Sequence, residues 1–404
     1  MKNCLIAQSG GPTTVINSSV VGILEKNNAL KTFDKVLVGF NGIEGILQDK
    51  VYDANEVIKD PQVFRYTPSS GLGSCRYKLP DYKKDSSDYE NFIKILEKHE
   101  VKTFFYIGGN DSMDTIKQMH LYSREHNISI DFIGVPKTID NDLPITDHCP
   151  GFGSAAKFIA ASVLETYLDS SVYLNNGAFV IETMGRDTGW LAASARLAEI
   201  DGIPCADLIY LPEIAFCRES FLKDVEKIFR EKGKVYIVVS EGIRDAEGNF
   251  LSALNASSSH DKFGHQQLGG AGKFVSELIK DSGITNRVKS LELGVLQRCA
   301  MHFASAIDIQ EAYEAGAAAC EAAAKGISGY MITIERVSNA PYKTNFGIAA
   351  ASEVANNVKY FPAEWITKEN NNINQEALNY LSPLVSGCPE LMWKDHLPKY
   401  TFIR

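Results

Sequence analysis

Apolar residues in this chain come in short unbroken runs, each followed by glycine or charge and then by a helical rhythm. NCLIAQ leads into SGGPTT and then VINSSVVGILEKN. Such a run, closed by glycines and followed by helical spacing, predicts a βα unit. The same grammar recurs. VKTFFYI precedes GGND and a helix from Ser112; ISIDFIGV precedes PKTIDND; GAFVIET precedes MGRDTG and the helical WLAASARLAEI; KVYIVVS precedes EGIRD. Strands so continuously apolar suit a parallel sheet covered on both faces. GYMITIER reads as one more strand, Ala155–Leu168 and the Ala-rich Phe303–Lys325 as helices, Val354–Tyr360 as helix-like, and Lys368–Gln375 as a polar loop.

The alternation predicts an open α/β architecture. A length of 404 residues and this number of units predict two domains. The expected division is 1–150 plus roughly 297–350 for one, and 151–296 plus roughly 351–404 for the other. Composition excludes several classes. Hydrophobic residues at 45% and charged residues at 23% exclude a mostly disordered chain. Lys plus Arg number 41 against 50 Asp plus Glu, a net −9, which argues against a nucleic-acid binder. It leaves room for small anions held by local cations and backbone N–H groups. The eight cysteines form no CxxC and are too dispersed for a disulfide framework, so buried reduced thiols are expected. The run Asn3–Ala7 is shorter than the apolar region of a secretion signal, and no stretch nears the ~20 apolar residues of a membrane span. A cytoplasmic protein is expected.

The unusual residues fall at the ends of predicted strands, where open α/β sheets bind ligands. Gly10, Gly11, Gly108, Gly109, Asp111, Lys137, Asp140, Asp142, Gly185, Arg186 and Glu241 all do so. Ser9-Gly10-Gly11 allows close backbone approach to an anion at a helix N-terminus, or simply a tight turn. Asp111 suits a helix cap, or a group facing metal or phosphate. Lys137-Thr138-Ile139-Asp140-Asn141-Asp142 is the most specific segment, because a turn needs only one Asp or Asn. A transferase needs a base for the acceptor hydroxyl and a cation for the moving phosphoryl group. Arg186 can grip phosphate with two parallel hydrogen bonds. Gly71–Arg76 starts like a dinucleotide fingerprint but places Arg76 where its last glycine belongs. Gly269–Lys273 imitates a P-loop but is followed by Phe274 rather than Ser or Thr. The eight histidines lack metal spacing and read as surface or satisfied core residues.

Through Ser9–Gly11 with Asn17, Gly71–Arg76, Gly108–Ser112, Thr138–Asp142, Met184–Arg186, Ser240–Gly242 and Leu293–Arg298, the sequence resembles the phosphofructokinases as far as about Ile366. The resemblance implies two Rossmann-like domains with the active site in the cleft between them. It implies Mg²⁺-dependent transfer to O1 of fructose 6-phosphate, and a homodimer or homotetramer. By position, Asp140 resembles the base, with Thr138 and Asp142 flanking the transferred phosphate. Met184, Gly185, Arg186, Glu241, Lys289 and Arg298 resemble sugar-phosphate residues, and Gly11 and Arg76 donor residues. Asn110 and Asp111 occupy the metal position, with Asn110 where the family usually carries Asp. Lys289 stands where many relatives carry Arg, with Arg287 two residues earlier, and Val295 where many carry His or Tyr.

Two positions address the donor. Asp111 and Lys137 stand where ATP-using relatives carry glycine, and both resemble the pyrophosphate-dependent branch. A carboxylate at Asp111 would oppose the α-phosphate of ATP, while Lys137 adds charge beside the transferred group. The expected activity is reversible transfer from pyrophosphate to fructose 6-phosphate, giving fructose 1,6-bisphosphate. The alternatives are an ATP-dependent enzyme, the same chemistry on sedoheptulose 7-phosphate, or a non-catalytic sugar-phosphate sensor.

Overall fold

A computed structural model describes residues 2–173, 177–252 and 269–403. Its strands, in chain order among the described residues, are β1 (Asn3–Gln8), β2 (Val36–Gly39), β3 (Val51–Asp53), β4 (Val101–Gly108), β5 (Asp131–Pro136), β6 (Gly177–Thr183), β7 (Glu199–Ile200), β8 (Ile203–Pro204), β9 (Leu208–Tyr210), β10 (Lys234–Ser240), β11 (Val288–Glu292), β12 (Tyr330–Asn339), β13 (Tyr342–Ala350), β14 (Trp393–Lys394) and β15 (Leu397–Pro398). The chain divides into two compact units. The first comprises 1–154, 298–358 and 387–404; the second comprises 155–297 and 359–386.

The first unit holds a seven-stranded sheet in the order β13-β12-β5-β4-β1-β2-β3. Its centre is parallel, as the unbroken apolar runs imply: every residue of β1 is buried, flanked by β2 and β4. The edges are antiparallel, β2 with β3 and β12 with β13. Helices Ile16–Leu30 and Ala306–Ala324 pack backbone to backbone. A Cβ on Gly22 would lie 1.9 Å from the carbonyl oxygen of Tyr313, and one on Gly316 would lie 2.1 Å from that of Ser19. This close approach explains the small-residue composition of the second helix.

The chain returns to the first unit for its last residues, whereas the sequence reading ran the second region to 404. Ile403 joins the core cluster of Ile6, Val20 and Phe105, and the Thr401 amide donates to Thr67 Oγ1 at 3.1 Å. The helix expected at Val354–Tyr360 is a second difference. The helix there is only Ala351–Val354: Ala355 turns to extended backbone at ψ 132°, and Asn356 follows with a left-handed φ of 62°.

The second unit holds a parallel four-stranded sheet, β11-β6-β10-β9. Its core centres on Val180, Ile237, Val239, Phe221 and Val275. All eight cysteines are free thiols, five of them buried; Cys217 and Cys388 are exposed. Among the described residues, no helix is long and apolar enough to cross a membrane.

Candidate active site

In the first unit the adjacent strands β1, β4 and β5 release their loops side by side. Ser9 Oγ hydrogen-bonds Ser112 Oγ across two of them. A fourth loop, Gly71–Arg76, is folded onto the first by a polar network that begins at Gln8. Gln8 Nε2 donates to Asn17 Oδ1 at 2.9 Å, and these two side chains accept the amides of Leu72 and Gly71. Ser74 Oγ then donates to the Gly10 carbonyl at 2.6 Å, and the Gly10 amide donates to the Cys75 carbonyl at 3.1 Å. Arg76 leaves from that contact. The role of Gln8 was not legible in sequence, because a polar strand residue looks like an edge position rather than the anchor of a loop 64 residues away.

The cations converge on Ser9–Gly11. Lys137 is buried, and its Nζ donates to the Gly11 carbonyl at 2.7 Å. A Cβ added to Gly11 would lie 3.2 Å from the Arg298 guanidinium. Arg298 therefore lies beside this loop within the first unit. Burial lowers the Lys137 ammonium to about 8; Asp140 and Asp142 pull it back up, while Arg298 and Arg76 push it further down. A buried ammonium facing a glycine turn, with two guanidiniums acting on it, is arranged for an anion.

The base candidate sits one loop turn beyond. Thr138 Oγ1 accepts the Asp140 amide at 3.1 Å and lies 3.3 Å from Asp140 Oδ2, so one hydroxyl fixes both backbone and carboxylate. Asn141 is fully buried with φ 54°, turning the chain sharply between Asp140 and Asp142.

Asn110 and Asp111 open the helix Asn110–Glu125. Asn110 is already engaged: its Oδ1 accepts the Asn356 amide at 2.6 Å and its Nδ2 donates to the Asn357 carbonyl. Asp111 is exposed in the first turn, where a carboxylate complements the helix N-terminus but opposes another anion. Among the described residues no three His, Cys, Asp or Glu side chains converge on a metal position. Magnesium is commonly held by one or two carboxylates plus substrate phosphates, and Asp111, Asp140 and Asp142 are the carboxylates that these loops carry.

In the second unit, β6 and β10 release Met184–Arg186 and Glu241–Gly242 together. The Gly185 amide donates to Glu241 Oε1 at 3.3 Å and the Met184 amide to Gln297 Oε1 at 3.1 Å. Gly242 is obligatory, since a Cβ there would lie 2.0 Å from the Arg186 carbonyl oxygen. Lys289 does not join them within this unit. It pairs with Phe179 near the start of β6, five residues before Met184, roughly 16 Å along the strand. The P-loop look-alike is filled from within: the buried Glu182 carboxylate accepts the amides of Gly270 at 3.0 Å and Gly272 at 2.8 Å. The missing Ser or Thr after Lys273 already argues against a phosphate loop, and Glu182, 88 residues from Gly270 in sequence, is its occupant.

A buried ammonium and a half-buried guanidinium at a glycine turn, beside a carboxylate fixed by a hydroxyl, define an α/β protein equipped for phosphoryl chemistry. The chain belongs to the phosphofructokinase family, whose signature matches residues 3–323. It is 40% identical over 406 residues to the pyrophosphate–fructose 6-phosphate 1-phosphotransferase of Xanthomonas campestris, covering 100% of this chain and 96% of that protein. The protein of that name from Methylococcus capsulatus is 40% identical over 403 residues, covering 99% and 95%. The crystal structure of a pyrophosphate-dependent phosphofructokinase from Nitrosospira multiformis superposes with a TM-score of 0.89 at 38% identity, covering 100% of this chain and 96% of that one.

Proposed function

We propose that this chain transfers a phosphoryl group reversibly between pyrophosphate and O1 of fructose 6-phosphate. The observation that carries the reading is Lys137, an ammonium buried against Ser9–Gly11 at the residue before Thr138. Pyrophosphate has no nucleoside to bind, so its affinity must come from charge. Lys137 supplies that charge where the phosphoryl group moves.

In the forward direction Asp140 accepts the proton of the sugar 1-hydroxyl. The O1–P bond forms, the bridging P–O bond of pyrophosphate breaks, and inorganic phosphate leaves. Thr138 orients the Asp140 carboxylate. Lys137, Arg76 and Arg298 balance charge on the phosphates, and Met184, Gly185, Arg186 and Glu241 take the sugar phosphate. Little covalent work falls to the protein, so catalysis rests on positioning and electrostatics. Magnesium would bind through Asp111 and Asp140, with Asn110 as a weaker neighbour, and would neutralise donor charge when bound. A homodimer or homotetramer belongs to the same proposal, and the exposed Leu291, Val295 and Leu296 offer apolar surface for it.

The test is the initial rate with fructose 6-phosphate and Mg²⁺, comparing pyrophosphate with ATP. Turnover with pyrophosphate and little with ATP is expected. Preference for ATP would overturn the roles of Asp111 and Lys137 while leaving Asp140 in place. A silent protein that still binds fructose 6-phosphate would turn the reading into that of a sensor.

A further inference from the structure

The chain beyond Asp142 returns to Thr138 through a segment that carries a cluster of charges around a buried histidine. His148 is 1% exposed. Its Nδ1 meets Asp147 Oδ1 at 2.8 Å and its Nε2 meets Glu311 Oε2 at 2.6 Å. Both ring nitrogens therefore face carboxylates, an arrangement that requires the doubly protonated imidazolium. Each carboxylate is held again from behind. Glu311 Oε1 accepts Tyr342 Oη at 2.7 Å and Thr344 Oγ1 at 3.0 Å, both from β13. Asp147 Oδ1 accepts Arg336 Nε at 3.1 Å and Nη2 at 2.8 Å, from β12. Asp308, on the same helix as Glu311, adds a further carboxylate, buried like Glu311, that feels the His148 charge. Burial works against the His148 charge, but attraction to Glu311 and hydrogen bonds to both carboxylates outweigh it and hold the group at about 9.

The connection to Asp140 runs through adjacent residues. The amide of Cys149, next after His148, donates to Asn141 Oδ1 at 3.0 Å. The carbonyl of Pro150 accepts the Thr138 amide at 3.2 Å, and the Gly151 amide donates to Asp308 Oδ1 at 2.8 Å. Thr138 and Asn141 bracket Asp140 on both sides, and both are held by the arm that His148 anchors.

We propose that His148 is a positioning residue: as a buried imidazolium clamped between Asp147 and Glu311, it fixes the return arm Cys149–Gly151 and thereby the orientation of the Asp140 carboxylate. The inference rests on Asp140 being the base. It predicts an effect on the chemical step rather than on substrate binding, because nothing in the clamp is assigned to either substrate.

The experiment compares H148Q, E311Q and the double variant H148Q/E311Q with the wild type, in kcat, in KM for both substrates and in thermal midpoint, with D140N alongside. H148Q should lose at least about tenfold in kcat while both KM values stay within about twofold. The double variant removes the cation together with one of its counter-charges and should recover part of that kcat. A merely structural role would lower the thermal midpoint and leave kcat of the folded fraction unchanged. A folded H148Q with wild-type kcat, beside an inactive D140N, overturns the clamp alone. An active D140N overturns the assignment of the base instead. If H148Q does not fold, the double variant decides: kcat reduced with KM preserved supports the clamp, and wild-type kcat overturns it.

Discussion

Two glycine turns in this protein look alike in sequence and differ in what fills them. Ser9–Gly11 in the first unit is faced by Lys137 and Arg298. Gly269–Gly272 in the second is faced by Glu182, whose carboxylate takes the free amides of Gly270 and Gly272. The second turn opens the helix Ala271–Asp281, where unpaired backbone N–H groups bind anions, whereas the first lies ahead of Ile16–Leu30 with its Ser9 and Gly10 amides already paired within the protein. The first is surrounded by cations and is suited to an external anion. In the second, the chain's own carboxylate supplies the anion. Glycine spacing announces only the cradle, and the distant side chain that folds onto it decides whether a ligand is invited.

The largest test of that contrast is Lys137→Met. It removes the cation from the first turn and should lower kcat with pyrophosphate by roughly a hundredfold, as loss of a transition-state charge contact does. The pH dependence sharpens it. Burial depresses Lys137 to about 8, so its charge is present below that pH and is lost as pH rises through it. Pyrophosphate turnover should fall along the same limb in the wild type, and the limb should be absent in Lys137→Met. A variant with normal turnover removes Lys137 from the reaction.

A smaller effect is expected at Asp111, exposed at the helix start beside the same loops. Asp111→Gly should shift the ratio of kcat/KM for ATP over pyrophosphate upward by about tenfold, the scale set by one repulsive contact. Donor competition assays read it directly. An unchanged ratio would mean that selectivity lies elsewhere, and that the charge on Lys137 alone distinguishes the first turn.

The parallel centre of each sheet was legible because strands covered on both faces carry continuous apolar runs at their middles, Cys4–Ala7 in β1, Phe104–Ile107 in β4 and Val235–Val239 in β10. The edges were not. β11 is mostly exposed along VKSLE, β9 spans only LIY, and β13 alternates with one face outward, so none presents the unbroken apolar run that marks a central strand. The site divides in the same way. Lys137 and Asp140 announced themselves as charges after a strand, where packing gives no reason for them. His148 carried no local signal: its partner Glu311 is 163 residues away, and a single histidine in a loop says nothing of the carboxylates that will enclose it. Glu182 was hidden within a strand whose apolar neighbours suggested only core. The resemblance to a family reached residues proposed to meet the substrates and was silent about those that hold the loops.

The smallest expected effect sharpens the other half of the contrast. Glu182→Gln keeps the shape of the side chain but replaces one acceptor oxygen with a donor, which cannot accept the amide of Gly270 or Gly272. The Gly270 amide, shared between both oxygens of Glu182, keeps one acceptor at most and faces an NH2 group in place of the other, so stability should fall by about 1 kcal/mol. Thermal or denaturant unfolding measures it. Because the turn is closed by the protein itself, KM for pyrophosphate should remain within about twofold of the wild type. A larger rise in KM would show that this turn serves the donor after all, and the two glycine turns would then differ in degree and not in kind.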